Sequence, residues 1–222
     1  MPALPYLISL SDRNPLNADL GVQGARVMSM VEGAIRVFYS QLEGRVPATP
    51  ESLQVEVLRF HAVVDSVFQH TGVIPFRFPT LLLDEQALRE HCSLHEVRYV
   101  EDLRRLDDFV QMEIHFPPVE AAAVPEGHAR TTLSPGTAFL RDRQARSQSA
   151  CSQLEDLKTH VSKDIEWRDR ETSGGLRAYA LVRRSDAEDF RSRLQLLSSI
   201  KVRLTGPWPP TEFLPSSYAT SK

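Results

Sequence analysis

The stretch VQMEIHFPP, from Val110 to Pro118, marks the point at which the chain is expected to divide. Its apolar residues recur at every second position as far as Phe116, which is typical of a strand with one buried face, and two prolines then end the strand. Residues 118–136 are rich in Pro, Ala and Gly and show no usable period. The sequence therefore predicts a domain at 1–117, a linker at 118–136 and a second domain at 137–222.

The N-terminal domain is predicted to contain a β-hairpin followed by helices. Two β-rich runs, 25–31 and 34–42, are separated by Glu32-Gly33, which is enough for a tight connection. Thr49 and Pro50 then supply an N-cap and a first-turn proline for a helix. This helix is expected to end at a left-handed Gly72 and to bury its apolar stripe, which consists of Leu53, Val57, Phe60, Val64 and Val67.

A second helix is predicted to begin at Asp84, whose carboxylate can accept hydrogen bonds from the first turn. Leu83 and Leu88 are spaced to pack across that turn as a hydrophobic staple. A further helical segment follows, and its apolar residues are Val97, Val100, Leu103 and Leu106. These elements and the 110–116 strand complete the first predicted domain.

The C-terminal domain is predicted to alternate strands and helices. A strand at 137–140 precedes a long polar helix at 142–161, and a strand at 178–182 precedes a helix that opens with a capping box at Ser185. The last strand, from Ile200 to Leu204, alternates apolar and charged residues. This order predicts the α+β class, with two small α/β-sandwich domains of which the C-terminal one is ferredoxin-like.

Composition excludes several classes of partner. The 222 residues are 41% hydrophobic and carry a net charge of only -3, so no field favours nucleic acid or an anionic membrane. The longest apolar runs, such as Leu81–Leu83, are far shorter than the ~18 residues that a membrane span needs. Two cysteines and an N-terminus without a leader-like pattern favour the cytoplasm.

Histidines provide the strongest hint of catalysis. His91 and His95 share a helical face beside Cys92, but a structural zinc site usually has four ligands with paired spacing. Glu113 and His115 share a strand face, with no nucleophile indicated nearby. The sequence also lacks a phosphate-binding loop and a dinucleotide fingerprint. We therefore predict no catalytic residue, cofactor or metal, and keep as alternatives a metal-dependent enzyme and a general protein-interaction module.

Two segments hold aromatic residues between prolines, which fix the backbone and remove hydrogen-bond donors. Either segment could pack against its own domain or present an anchor to a protein partner. The predicted partner-binding residues are Pro75, Phe76, Arg77 and Phe78 in the first segment, and Gly206, Pro207, Trp208, Pro209, Pro210 and Phe213 in the second.

Together these segments resemble the gas vesicle protein GvpF/GvpL family. In that family a histidine-bearing helix runs into V-[IL]-P-[FL]-R-F-G-T, and the chain closes with L-T-G-P-W-P-P-Y-x-F. Here the corresponding stretches are VIPFRFPT, from Val73, and LTGPWPPTEF, from Leu204. The similarity extends from about Gly24 to Leu214, with Pro79 in place of the glycine and Thr211 in place of the tyrosine.

The resemblance implies a non-enzymatic, chaperone-like assembly factor. Its expected partners are the hydrophobic gas vesicle shell protein GvpA and other minor gas vesicle proteins, with no small-molecule substrate. It would assist nucleation and formation of the vesicle, in the cytoplasm and associated with the particle. A soluble partner of this kind could shield the apolar surface of the shell protein before assembly.

Overall fold

The computed structural model describes residues 1–13, 20–44, 49–117, 135–161, 165–172, 175–197 and 202–215, with side chains of the helix at 135–161 described from residue 148. Its strands and helices in chain order are β1 (Ala3–Leu10), β2 (Met28–Glu32), β3 (Ile35–Gln41), α1 (Pro50–Phe68), β4 (Ile74–Pro75), α2 (Glu85–Leu106), β5 (Phe109–Phe116), α3 (Pro135–Val161), β6 (Glu166–Thr172), β7 (Gly175–Arg183), α4 (Ala187–Leu196) and β8 (Arg203–Trp208).

These elements form two compact units. The first comprises Met1–Phe109 together with Pro209–Lys222, and the second comprises Val110–Trp208. Each unit contains one four-stranded sheet. The mixed architecture agrees with the predicted α+β class.

The sheet of the first unit has the order β2-β3-β1-β4, with β1 in an interior position. The ring of Tyr6 in β1 lies 5.3 Å from that of Phe60 in α1, while Ile8 shares a core cluster with Leu88 and Tyr99 of α2. Both helices therefore pack on β1. This explains why the strand is a nearly continuous buried apolar run without alternation.

The predicted hairpin and the first helix are confirmed in outline. Strands β2 and β3 pair up to Glu32 and Ile35, and α1 begins at Pro50 after Thr49. The predicted burial of Leu53 is wrong, because this side chain is exposed and Glu56 is buried instead. The Glu56 carboxylate accepts a 2.6 Å hydrogen bond from the backbone N–H of Gln23, so polar contacts occupy that turn of the helix.

Gly72 serves a different purpose from the one predicted. It lies beyond the end of α1, and its N–H donates to Asp107 Oδ1 over 2.8 Å. A Cβ atom at Gly72 would lie 2.6 Å from the Asp107 Cα. A glycine is therefore needed for close approach of two backbones rather than as a left-handed helix cap.

The second helix begins as predicted, but its staple does not form. Asp84 Oδ1 accepts a 2.8 Å hydrogen bond from the N–H of Ala87. Leu88 is fully buried whereas Leu83 is 82% exposed, so the two do not close a hydrophobic staple. The two predicted helical segments are one helix of 22 residues, and Val97 lies on its exposed side.

The second unit follows the order β5-α3-β6-β7-α4-β8, and its sheet has the order β6-β7-β5-β8. This is the ferredoxin-like β-α-β-β-α-β arrangement, as predicted. The alternation in β5 is also confirmed, because Val110, Met112, Ile114 and Phe116 are all buried. Strand β6 was not predicted, since its sequence EWRDRET is charged and shows no apolar face.

Three local predictions for this half are corrected. The strand predicted at 137–140 lies inside α3, because no glycine or proline separates it from the helix-forming residues that follow. The Ser185 hydroxyl donates to Asp186 and caps no helix, and α4 begins after a short 3-10 turn. The last strand, β8, extends beyond the predicted Leu204 to Trp208, whereas Ile200 lies outside the described residues.

The compact units also differ from the predicted domains 1–117 and 137–222. Strand β5 pairs with β8 and so belongs to the second sheet, and the chain from Pro209 belongs to the first unit. Residues 118–134 of the predicted linker lie outside the described residues, and 135–136 begin α3. The change of composition therefore marks a connection within the second unit.

Within the described residues, no helix combines the length and apolarity of a membrane span.

Candidate protein-binding sites

The first predicted segment is fixed to the edge of the N-terminal sheet. Strand β4 pairs with β1, with Ile74 opposite Ile8 and Pro75 opposite Leu7. The next residue, Phe76, donates its backbone N–H to the carbonyl oxygen of Tyr6 over 2.9 Å. The backbone is thus held in place up to the residue before Arg77.

The two phenylalanines of this segment contact different helices. The ring of Phe76 lies 5.9 Å from that of His91 in α2, and the ring of Phe78 lies 5.2 Å from that of Phe60 in α1. Arg77, between them, is exposed. Arg77 therefore does not pack into its own domain as a buried residue, and its side chain is accessible between two residues whose rings contact helices.

The second predicted segment begins inside β8, where Trp208 lies opposite Gln111 of β5. Gly206 has a φ of +115°, and a Cβ atom there would lie 2.8 Å from the carbonyl oxygen of Gln111. Only glycine satisfies both conditions without displacing the backbone. The Gly206 carbonyl oxygen also accepts a 2.9 Å hydrogen bond from Arg191 of α4, which fixes the turn before the prolines.

Trp208 lies on the surface. It is 42% exposed, and its indole Nε1 donates to the Thr205 hydroxyl over 3.3 Å. Pro207 is also exposed, whereas Pro209 and Pro210 are buried. The segment therefore combines a presented aromatic side chain with fixed neighbours, and we call Gly206–Pro210 the tryptophan arm.

Phe213 anchors the chain after this arm. It is 1% exposed, and Arg105 donates to its backbone carbonyl oxygen over 2.8 Å. Both residues belong to the first unit. Phe213, Pro209 and Pro210 thus lack the exposed surface that Trp208 and Pro207 offer to a partner.

A pocket that the sequence did not predict opens beside the first segment. Its volume is about 130 Å³, and the residues that line it come from β1, β4, the following loop and α2. We call it the arginine–histidine pocket. Its polar and aromatic lining consists of Phe76, Arg77, Thr80, His91, His95, Arg98 and Tyr99.

Three rings of α2 lie edge to face along one wall of this pocket. The ring centroids of His91 and His95 lie 4.8 Å apart, and that of Tyr99 lies 6.1 Å from His95. The spacing by four residues places them on one helical face, which the sequence did indicate. These rings meet the 75–77 segment because β4 pairs with β1. The sequence did not indicate that pairing.

Burial controls protonation in the pocket. His91 Nε2 and the Tyr99 hydroxyl are hydrogen-bonded over 3.0 Å. Burial lowers the pKa of His91, and the neighbouring His95 lowers it further. Burial also raises the pKa of Tyr99, with a further contribution from Cys92. At neutral pH His91 is therefore neutral and Tyr99 protonated, and the side chains of Arg77 and Arg98 bring guanidinium groups to the lining.

Cys92 does not join the two histidines. Its side chain is fully buried in the core cluster of the first unit, and burial raises the pKa of its thiol to about 12. His115 lies in β5, in the other unit. Across the described ranges, no three His, Cys, Asp or Glu side chains are grouped closely enough to hold a metal ion.

Comparison with known proteins identifies the class as gas vesicle synthesis proteins. The sequence profile described as "Gas vesicle synthesis protein GvpL/GvpF" matches residues 6–215. The chain therefore belongs to the GvpL/GvpF family. No curated protein matches it in sequence.

Solved structures share the fold. The crystal structure of the gas vesicle protein GvpF from Anabaena sp. PCC7120 superposes with a TM-score of 0.72 at 14% identity, over 96% of this chain and 96% of that one. GvpF from Microcystis aeruginosa gives a TM-score of 0.69 at 14% identity, over 96% of this chain and 99% of the other. At such identities the likeness concerns the fold alone.

Proposed function

We propose that this chain is a gas vesicle assembly factor that binds the hydrophobic shell protein GvpA and assists nucleation and formation of the vesicle. It would act in the cytoplasm, associated with the vesicle, and also contact other minor gas vesicle proteins. The observation that carries the proposal is the exposure of Trp208, at 42%, within a segment whose following prolines are buried. Membership of the GvpL/GvpF family supports the vesicle as the setting.

The tryptophan arm suits recognition of an apolar surface. Tryptophan and arginine are the side chains most enriched among those that dominate protein–protein binding energy. Because the Gly206 turn and the hydrogen bond from Arg191 already fix the backbone that leads to Trp208, this residue loses little conformational entropy on binding. A rigid aromatic group of this kind can cover part of an aggregation-prone partner.

Helix α2 offers a second apolar surface, in the first unit. Leu94 is 78% exposed and Val97 is 73% exposed, and their spacing of three residues places them side by side on the helix. Arg98, four residues after Leu94, lines the pocket described above. Apolar and cationic groups are thus adjacent on the same helix, an arrangement that favours a protein partner over a purely ionic ligand.

Co-expression of the shell protein with variants of this chain tests the proposal. With Trp208→Ala and Arg77→Ala combined, we expect the soluble fraction of the shell protein to fall to the level seen without this chain. The matched control combines Leu196→Ala with Arg104→Ala, because Leu196 is 81% exposed and Arg104 is an exposed arginine of α2 outside the pocket. Shell protein that stays equally soluble and assembly-competent with the double variant, or without the chain, would refute the proposal.

A further inference from the structure

We infer that the arginine–histidine pocket binds a glutamate side chain of a partner protein, with the carboxylate between Arg77 and Arg98 and the aliphatic stem against the apolar wall. The inference rests on the proposed function only in taking the partner to be a protein. The inference adds that this partner presents a glutamate carboxylate, a feature that membership of the family does not specify.

The charge of the pocket favours an anion. Arg77 and Arg98 both line it, and among the described residues of its lining there is no aspartate or glutamate. Guanidinium groups match carboxylates in charge and geometry and can bind them through paired hydrogen bonds. Arg77 is exposed and Arg98 is half-buried, so both can be reached from solvent.

Size is the second argument. A pocket of about 130 Å³ accepts a group of roughly the volume of one side chain. Ile8, Ile74 and Leu82 form an apolar part of its lining, against which the methylene groups of a glutamate can pack.

The hydrogen-bonding groups are the third argument. The Tyr99 hydroxyl remains protonated because burial raises its pKa, and its 3.0 Å hydrogen bond with His91 Nε2 holds both rings in the wall of the pocket. Outside the pocket, Leu94 and Val97 on the same helix offer contacts to apolar residues that flank the glutamate. The expected ligand is therefore an acidic residue between apolar ones.

Short peptides test the inference directly. The probe is acetyl-Leu-Glu-Leu-amide, and its matched control is acetyl-Leu-Gln-Leu-amide. Side-chain NMR signals of His91 and His95 in the isotope-labelled full chain report occupancy. We expect the glutamate peptide to shift these signals and to bind about tenfold more tightly than the glutamine peptide, as is typical of a charge-assisted hydrogen bond.

Variants locate the binding site. Arg77→Gln and Arg98→Gln should each weaken binding of the glutamate peptide by about tenfold, while Arg104→Gln should leave it unchanged. Thermal unfolding checks that each variant is folded. Because Arg77 is exposed, its variant is expected to fold even if the Arg98 variant does not.

Two further probes separate the sources of an anion. Free propionate and inorganic phosphate are titrated in the same way, and both should bind more weakly than the glutamate peptide. Equal binding of the two peptides, unchanged signals with the glutamate peptide, or tighter binding of phosphate would overturn the inference. None of these results bears on the solubility of the shell protein, so the pocket and the proposed function can fail separately.

Discussion

His91 Nε2 and the hydroxyl oxygen of Tyr99 lie 3.0 Å apart, although the two residues are about two turns apart along α2. This pair forms one wall of the arginine–histidine pocket, and burial keeps the imidazole neutral and the phenol protonated at neutral pH. The same contact links the pocket to the core, because Tyr99 belongs to the cluster that joins α2 to the N-terminal sheet. Changes at the pocket should therefore be measurable in the stability of the first unit.

Stability should fall as the pH drops below about 6.5, in part because of His91. Its pKa is lowered in the folded chain, so the unfolded chain binds more protons between the two pKa values and is favoured there. In His91→Gln, the fall in unfolding free energy between pH 7.5 and pH 5 should be smaller than in the original chain. Urea unfolding at both pH values gives the unfolding free energy of each protein, and the difference between the two values is compared.

The control for this prediction is His160→Asn, at an exposed position in α3. This variant should keep the pH dependence of the original chain. Asp65 has a pKa raised mainly by burial and so works in the opposite direction, but its contribution is common to all three proteins. An unaltered pH dependence in His91→Gln would show that the histidine titrates similarly in both states.

Gly206→Ala should destabilise the chain by about 1–3 kcal/mol, the usual range for a residue held in an unfavourable backbone conformation. The cause is twofold, since φ is +115° and the new Cβ would lie 2.8 Å from the Gln111 carbonyl oxygen. Chemical denaturation gives the difference. Gly44→Ala is the matched control, because a Cβ there meets nothing within 4 Å, and it should be nearly neutral or slightly stabilising. Equal stability of the two variants would contradict the geometry of the turn.

Phe213→Ala should cost about 3–5 kcal/mol, as expected for removal of a fully buried aromatic side chain. Leu196→Ala, at a position 81% exposed, should change the unfolding free energy by less than about 0.5 kcal/mol. Chemical denaturation measures the unfolding free energy of both variants and of the original chain. A small effect of Phe213→Ala would mean that the chain after the tryptophan arm is not anchored as described.

Strands β5 and β7 were predictable from sequence, whereas β1 and β6 were not. The alternation in β5 identifies it as a strand, since only one of its faces is covered by apolar residues. Strand β1 is buried on both sides and β6 carries charges along most of its length, so neither shows a period of two. The boundary between units was missed because β5 is close in sequence to the first unit but pairs with β8.

The candidate sites were predictable only in part, for a similar reason. Proline, glycine and aromatic residues in the two segments indicated rigid, special backbone, and Gly206 and Trp208 have the geometry such a pattern favours. The pocket depends on Ile8, Phe76 and His91 meeting across three elements. No local pattern encodes that contact. Whether a given aromatic is exposed, as Trp208 is, or buried, as Phe213 is, also depends on tertiary packing.

Photo-crosslinking from position 208 tests whether the tryptophan arm contacts the shell protein. An aromatic photoreactive amino acid replaces Trp208 in cells that produce gas vesicles, so that a large aromatic group is kept at this position, and the same substitution at Leu196 is the exposed control. We expect irradiation to crosslink the chain to the shell protein from position 208 and not from position 196. Mass spectrometry of the crosslinked peptides identifies the partner. Contact through the tryptophan arm would be contradicted if no crosslink to the shell protein formed from position 208, or if positions 208 and 196 gave equal amounts.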